Sequence, residues 1–409
     1  MNGVFNLRTV LPLIVLLLFF VVGCSGDGAS LPAKKWTFML YMDGDETSME
    51  RDFITAFNEM IQAEAGSDDN VNIIVQFDRI PGNDESYGNW SICHRFYITP
   101  GMEPTEGNAV QNWGDGKGGR EVDMADPETL LDFIDWSVVN CPAERYVLMI
   151  GDHGYGWQGM CIDTTSYGDF LEVKELKLAL DSAPVDIDLL ALNACVMQMV
   201  EVAYEIRDSG VGIMVGSENL GTSWPIADII AELTINPGMP TEELGKKIND
   251  LYNEVHAGED GITLSTLDMG GIETLARTIE EFSAALIAGS SDDTVKEKAG
   301  AIMAQVEETV FYARNSVNWE GYANGISIYF PLDPEGYLPL RFFYYYTHQI
   351  TSFARDALWR DFLSLFYNRD TRISTAVYHA RFALQSEKRE FDDENIDLYD
   401  FCRRIVEGD

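Results

Sequence analysis

The chain is short of positive charge. Its 409 residues hold 28 Lys and Arg against 67 Asp and Glu, a formal net charge of −39. That deficit excludes a surface built for a phosphate backbone, so no nucleic-acid partner is expected. Cysteine is sparse too. Six in a chain this long do not make a disulfide scaffold, and none stands in a Cys-x-x-Cys pair. His94, His256, His348 and His379 lack metal-ligand spacing. No Gly-x-Gly-x-x-Gly or Walker-type loop follows the first strand candidate, which excludes a nucleotide-binding α/β protein. Internal repeats and low-complexity tracts are missing as well. Apolar residues still make up 46%, an ordinary share for a folded chain. Wholesale disorder is therefore excluded, and the length suits one large domain or two medium ones.

One apolar run stands at the amino end. It extends from Val10 to Val22, broken only by Pro12, behind the single charge of Arg8. This is short for a membrane span and has the length of a signal-peptide core. Gly23 and Cys24 follow, then Ser25-Gly26-Asp27-Gly28, an order that resembles a bacterial lipoprotein box. The resemblance implies that residues 1–23 are a leader and that Cys24 carries lipid. Residues 24–35 then form a flexible tether, and the protein lies at the cell envelope outside the cytoplasm, held to the membrane through its lipid.

Beyond the tether, apolar runs alternate with helical patterns. The runs Trp36–Met42, Val71–Asp78, Arg145–Gly151, Asp188–Cys195 and Val211–Gly216 are nearly continuous, as parallel strands buried on both faces should be. Between them, Ser48–Ala65, a segment from Asp126-Pro127 to about Val139, Val173–Leu180 and Val196–Ile206 read as helices. Such alternation predicts an α/β fold: a three-layer sandwich with a mainly parallel central sheet and helices on both faces. Residues 36–235 would form its catalytic core. Residues 236–409 read as a helix-rich part, with helical patterns at 241–257, 271–289 and 293–315, whose strands near 261–267 and 324–330 complete that core.

In such sheets reactive groups collect past the carboxyl ends of strands. Two strand ends carry them: Gly151-Asp152-His153-Gly154 and Leu192-Asn193-Ala194-Cys195. A Cys leading into a helix lies near the positive end of the helix dipole, which favours the thiolate. A His on a neighbouring strand end accepts the thiol proton and returns it to a leaving amine. The backbone N–H groups of Gly154 and Cys195 would face the oxyanion. The plain alternatives are a small buried cysteine and a structural histidine. Asp152, next to His153 on an extended strand, points to the opposite face and is read as structural.

The turn His153-Gly154-Tyr155-Gly156-Trp157, the turn Asn193-Ala194-Cys195 with Met197, and the helix Glu201-Val202-Ala203-Tyr204 resemble the clostripain-type cysteine peptidases. Those belong with caspases, gingipains, legumain and separase. Trp36–Asp43, Gly216-Ser217-Glu218 with Trp224-Pro225, and Gly325–Pro331 match in the same order, so the likeness covers roughly residues 36–331. It implies a caspase-like sandwich and peptide-bond hydrolysis, with His153 as base and Cys195 as nucleophile acting on a protein or peptide substrate. A catalytically silent binding module of the same fold is the rival reading.

Two departures bear on specificity. The family's nucleophile usually follows Asp-Ala, and that Asp serves a pocket for basic side chains; here Asn193 takes its place, which weakens the case for Arg or Lys at P1 because an amide pairs poorly with a buried guanidinium. Glu218 is the candidate compensating acid, and Trp157 either lines the cleft or packs its loop. No Lys or Arg occurs between Arg145 and Lys174, so self-cleavage at a basic site after the catalytic His is not expected. Hydrolysis requires no cofactor. Some relatives use calcium, and Asp43 and Asp45 of Asp43-Gly44-Asp45-Glu46 are candidate ligands, although the spacing falls short of a full calcium loop.

Overall fold

Chain order builds the sandwich directly. β1 (Lys34–Gly44) leads into α1 (Thr47–Gln62) and β2 (Val71–Arg79), followed by the short strands β3 (His94–Tyr97) and β4 (Gln111–Asn112). Next come α2 (Pro127–Asn140), β5 (Ala143–Gly151), the hairpin β6 (Gly159–Asp163) and β7 (Asp169–Glu172), α3 (Val173–Ser182) and β8 (Ile187–Asn193). Then α4 (Val200–Glu205), β9 (Val211–Gly216), α5 (Ile226–Ile235), α6 (Thr241–Val255) and β10 (Thr263–Asp268) follow. α7 (Ile272–Ile287), α8 (Asp292–Thr309) and β11 (Val310–Asn315) close the sheet, and β12 (Ser327–Tyr329) and β13 (Asn395–Asp397) form a separate pair. This computed structural model describes residues 32–112, 122–316, 323–331, 346, 351–367, 377, 379 and 395–408. The leader, Cys24 and most of the 24–35 tether lie outside the described residues.

The sheet order is β11-β10-β9-β8-β5-β1-β2-β3-β4. Its centre, β9-β8-β5-β1-β2, is parallel throughout, and both flanks are antiparallel. The continuous apolar runs are what this centre demands, because alternate side chains enter different cores. Met39, Tyr41, Leu148, Ile150, Leu190 and Leu192 pack on the side of α2, α3, α4 and α7. Phe38, Leu40, Val147, Met149, Leu189 and Ala191 pack on the side of α1, α5 and α6. The expected three layers are present, and Pro32–Asp409 forms one compact unit.

Three elements differ from expectation. The helical pattern at 293–315 stops at Thr309, where Val310-Phe311-Tyr312 turn to β structure and pair with β10. Near 324–330, Ser327–Tyr329 pairs antiparallel with β13 rather than entering the large sheet. The helix expected from Val196 begins only at Val200. Among the described residues, no helix is long and apolar enough to cross a membrane.

Candidate active site

Sheet register brings the two predicted residues together. β5 and β8 are adjacent and parallel, and their last register pair is Gly151 with Asn193. His153 and Cys195 each stand two positions beyond that pair, so both strands deliver their residue to one edge. Both line a cleft of about 150 Å³, together with Met49, Asp52, Phe53 and Ala56 of α1 and the segment Gly221–Trp224. Asn193 lines it as well.

Cys195 occupies a tight turn rather than a helix start. Val196 follows with φ 51°, a left-handed conformation that costs a β-branched residue on the order of 1–3 kcal/mol. The turn is held from outside, because Val196 N–H donates to the Asn219 carbonyl at 2.9 Å and Gln198 N–H to the Ser217 carbonyl at 3.0 Å. The helix-dipole argument for the thiolate therefore does not apply. The polar contact is instead from Gly221, whose N–H donates to Cys195 Sγ at 3.2 Å. A donor to sulfur favours the charged form. Five cysteines fall within the described residues; none is in a disulfide, four are buried and Cys195 is partly exposed.

Gly154 is a glycine for lack of room. A Cβ there would overlap the Cys195 carbonyl oxygen and stand 2.9 Å from Ala194 Cβ and 3.0 Å from Cys195 N. The backbones of the two residues assigned to the oxyanion therefore run against each other. An antiparallel bridge to Met160 fixes this turn, with Tyr155 N–H donating to the Gly159 carbonyl at 2.9 Å and Cys161 N–H to the His153 carbonyl at 3.2 Å.

Sequence reasoning missed the closest acid to His153. Glu46 Oε2 lies 3.5 Å from His153 Nε2. The same carboxylate caps α1: Oε2 accepts Ser48 N–H at 2.7 Å and Met49 N–H at 3.3 Å, and Thr47 Oγ1 donates to Oε1 at 2.8 Å. Burial would raise its pKa, but the Ser48 hydroxyl, the Thr47 hydroxyl and the two amides outweigh burial and hold it down at about 2. Its one legible signal was an acid at an N-cap. Asp152 is buried, lines the same cleft and accepts Ile162 N–H, and burial pushes its carboxyl up to about 8.

Of the candidate pocket residues, Trp157 takes its alternative of packing the loop, and Glu218 is elsewhere. Trp157 is buried, edge-on against Tyr329 at 5.5 Å and Tyr346 at 5.2 Å, because its indole completes the aromatic core under the loop. Glu218 is 1% exposed and accepts Gly325 N–H, turned away from the cleft by the turn that carries Gly221. Two acids line the cleft, Asp152 beside His153 and Asp52 on α1. Burial raises the Asp52 carboxyl, Arg51 and His153 pull it back, and Glu46 pushes it up. Asp43 and Asp45 are both buried at the end of β1.

A parallel-centred α/β sandwich with a cysteine and a histidine in one cleft at the carboxyl edge has the architecture of the caspase-like proteins. Residues 40–293 match the model of the clostripain family, and the chain belongs to that family. Clostripain from Hathewaya histolytica is 27% identical over 266 residues, which are 59% of this chain but only 46% of clostripain. Among solved structures, the fold is similar to a secreted C11 cysteine protease from Bacteroides thetaiotaomicron in complex with an irreversible peptide inhibitor. That match has a TM-score of 0.59 and 17% identity, covering 80% of this chain and 99% of that one. An inactive zymogen C11 protease from Parabacteroides distasonis gives a TM-score of 0.58 at 19% identity, with the same two coverages.

Proposed function

We propose that the protein is a cysteine endopeptidase of the cell envelope that cleaves peptide bonds through a Cys195/His153 dyad. The observation that carries this reading is that the one partly exposed cysteine among the five described shares its cleft with His153. Cys195 gives its proton to His153, and the sulfur attacks the scissile carbonyl carbon. The oxyanion meets the backbone at Gly154 and Cys195. When the C–N bond breaks, His153 protonates the departing amine and a thioester remains. His153 then takes a proton from water, whose oxygen attacks the thioester; the acid leaves and the thiol regains its proton. Glu46 holds the imidazole and offsets its positive charge during these transfers.

The cleft walls of Met49, Phe53, Ala56 and Trp224 suit a long apolar stem, and Asp52 suits a cationic head on it. This revises the expectation from Asn193, since the carboxylate comes from α1 instead of the catalytic turn. Peptidyl acyloxymethyl ketones with Lys or Leu at P1 test both points. Wild type should be labelled on Cys195, the Lys probe at least about ten times faster, while Asp52→Asn narrows that ratio. Labelling that is unchanged in Cys195→Ala would sink the peptidase reading, and a Leu preference would sink the role of Asp52 alone.

Envelope attachment through Cys24 belongs to the same reading, supported by the run before Gly23-Cys24 and by a fold neighbour that is a secreted protease. Radiolabelled palmitate should enter wild type and not Cys24→Ala, which is released from membranes. Equal incorporation would overturn it.

A further inference from the structure

One wall of the cleft has no regular structure of its own. Residues 217–225, between β9 and α5, form neither helix nor strand. Yet they bring Gly221 N–H to the Cys195 sulfur at 3.2 Å and place Trp224 on the cleft. Backbone without a ladder has many conformations of similar energy, so such a stretch takes its position from bonds that reach it from elsewhere.

Three of those bonds come from the end of α6 and the residues after it. Asn219 Nδ2 donates to the Gly261 carbonyl at 3.0 Å, Thr222 N–H donates to the Tyr252 hydroxyl at 3.2 Å, and His256 Nε2 stands 2.9 Å from the Ser223 carbonyl. A carbonyl only accepts, so Nε2 is the nitrogen that donates there. The His256 ring has little freedom. It is buried, packs edge-on at 4.9 Å against Tyr252, and its Nδ1 lies 3.1 Å from Glu259 Oε1. The end of α6 does not need an imidazole, because the closing bond there is made by the His256 backbone, whose N–H donates to the Tyr252 carbonyl at 3.2 Å. What the side chain adds is the hold on Ser223.

We propose that His256 is a positioning residue for Cys195. Through the Ser223 carbonyl it sets the wall at the place where Gly221 N–H reaches the sulfur and Trp224 meets the substrate. The assignment rests on the reading of Cys195 as the nucleophile. Withdrawing the bond frees the wall to move away from the sulfur, and the thiolate then loses a donor that favours it. The thiolate that remains is more basic and attacks faster, which returns part of the loss. The net drop in thiol reactivity is about three- to fivefold.

Alkylation of Cys195 by iodoacetamide, followed by mass mapping of its peptide, tests this on the full-length protein. The reagent requires no peptide cleavage, so a failed peptidase reading and a failed role for His256 give different results. His256→Gln keeps an N–H donor where Nε2 stands, whereas His256→Asn, with its shorter side chain, keeps one only within reach of Glu259. The Asn variant should be alkylated about three- to fivefold more slowly than wild type and the Gln variant within about 1.5-fold, although the two melt within about 2 °C of each other. Tyr252→Phe, which takes the acceptor from Thr222 N–H, should slow alkylation as well, and it serves if the Asn variant does not fold. Equal rates in the Gln and Asn variants, or rates that fall in step with Tm across all three, would overturn the assignment.

Discussion

At the residue scale, the main addition to the expected pair is Glu46. In the proposed dyad the base needs a third group to hold its ring, and strand alternation had set Asp152 aside for that place. Glu46 fills that place from a different element, at 3.5 Å from Nε2. Its position is not adjustable, because the hydrogen bonds that cap α1 also fix the carboxylate. The contact is partly exposed, which limits its strength. Glu46→Gln should therefore lower kcat by about 5- to 20-fold and leave KM within about twofold, since the charge acts on the imidazolium formed during the transfers. Gln retains acceptor capacity for the cap, so Tm should drop by less than for Glu46→Ala. If Gln and Ala variants lose Tm in proportion to their kcat, the residue is a cap and nothing more.

At the scale of elements, what the sequence disclosed follows from how each signal is produced. The five central strands were legible because a strand buried on both faces must be apolar at nearly every position. Their ends also pointed to His153 and Cys195, since parallel neighbours finish on the same edge. The start of α4 was not legible. Val196 has helix-compatible chemistry by type, and only the outside bonds from Asn219 and Ser217 force its left-handed φ. β11 was hidden for a related reason: Val310-Phe311-Tyr312 follow a helix without any Gly or Pro to mark its end, and pairing with β10 decides the change. Glu218 was a candidate cleft acid, and the sequence allowed Trp157 either the cleft or packing of its loop. Flanking residues on a turn face opposite ways, and these two face the interior. Asp52 went unremarked since α1 is distant in sequence from both strand ends.

At the scale of the whole molecule, the last part of the chain is fastened to the cleft through a pair of carboxyl groups. Glu218 belongs to the turn that brings Gly221 N–H to Cys195, and Asp397 ends β13. Both are buried and share a hydrogen bond, with Glu218 also accepting Gly325 N–H and Asp397 Oδ1 accepting Asn324 Nδ2 at 3.0 Å. Burial pushes Asp397 up to about 6; burial and then the charge of Asp397 push Glu218 well above the usual carboxylate range. A carboxyl whose pKa rises on folding binds its proton more tightly in the native state. Its contribution is complete below the ordinary carboxylate range near pH 4 and is lost as pH rises through about 6 and beyond. Wild type should accordingly lose stability on the alkaline side, where two negative charges face each other in the interior. Glu218→Gln keeps an acceptor for Gly325 and a donor for Asp397, and leaves Asp397 as the one group of the pair that ionises. At pH 4 its Tm should match wild type, and at pH 8 it should exceed it by roughly 3–6 °C, taking about 2 kcal/mol for the charge avoided. Melting curves across that range decide the matter: a gap of equal size at both pH values would mean that no proton is shared. Because the same turn presents Gly221 to the sulfur, the pH at which wild type begins to soften should also be the pH at which probe labelling of Cys195 first declines, and Glu218→Gln should move both upward together.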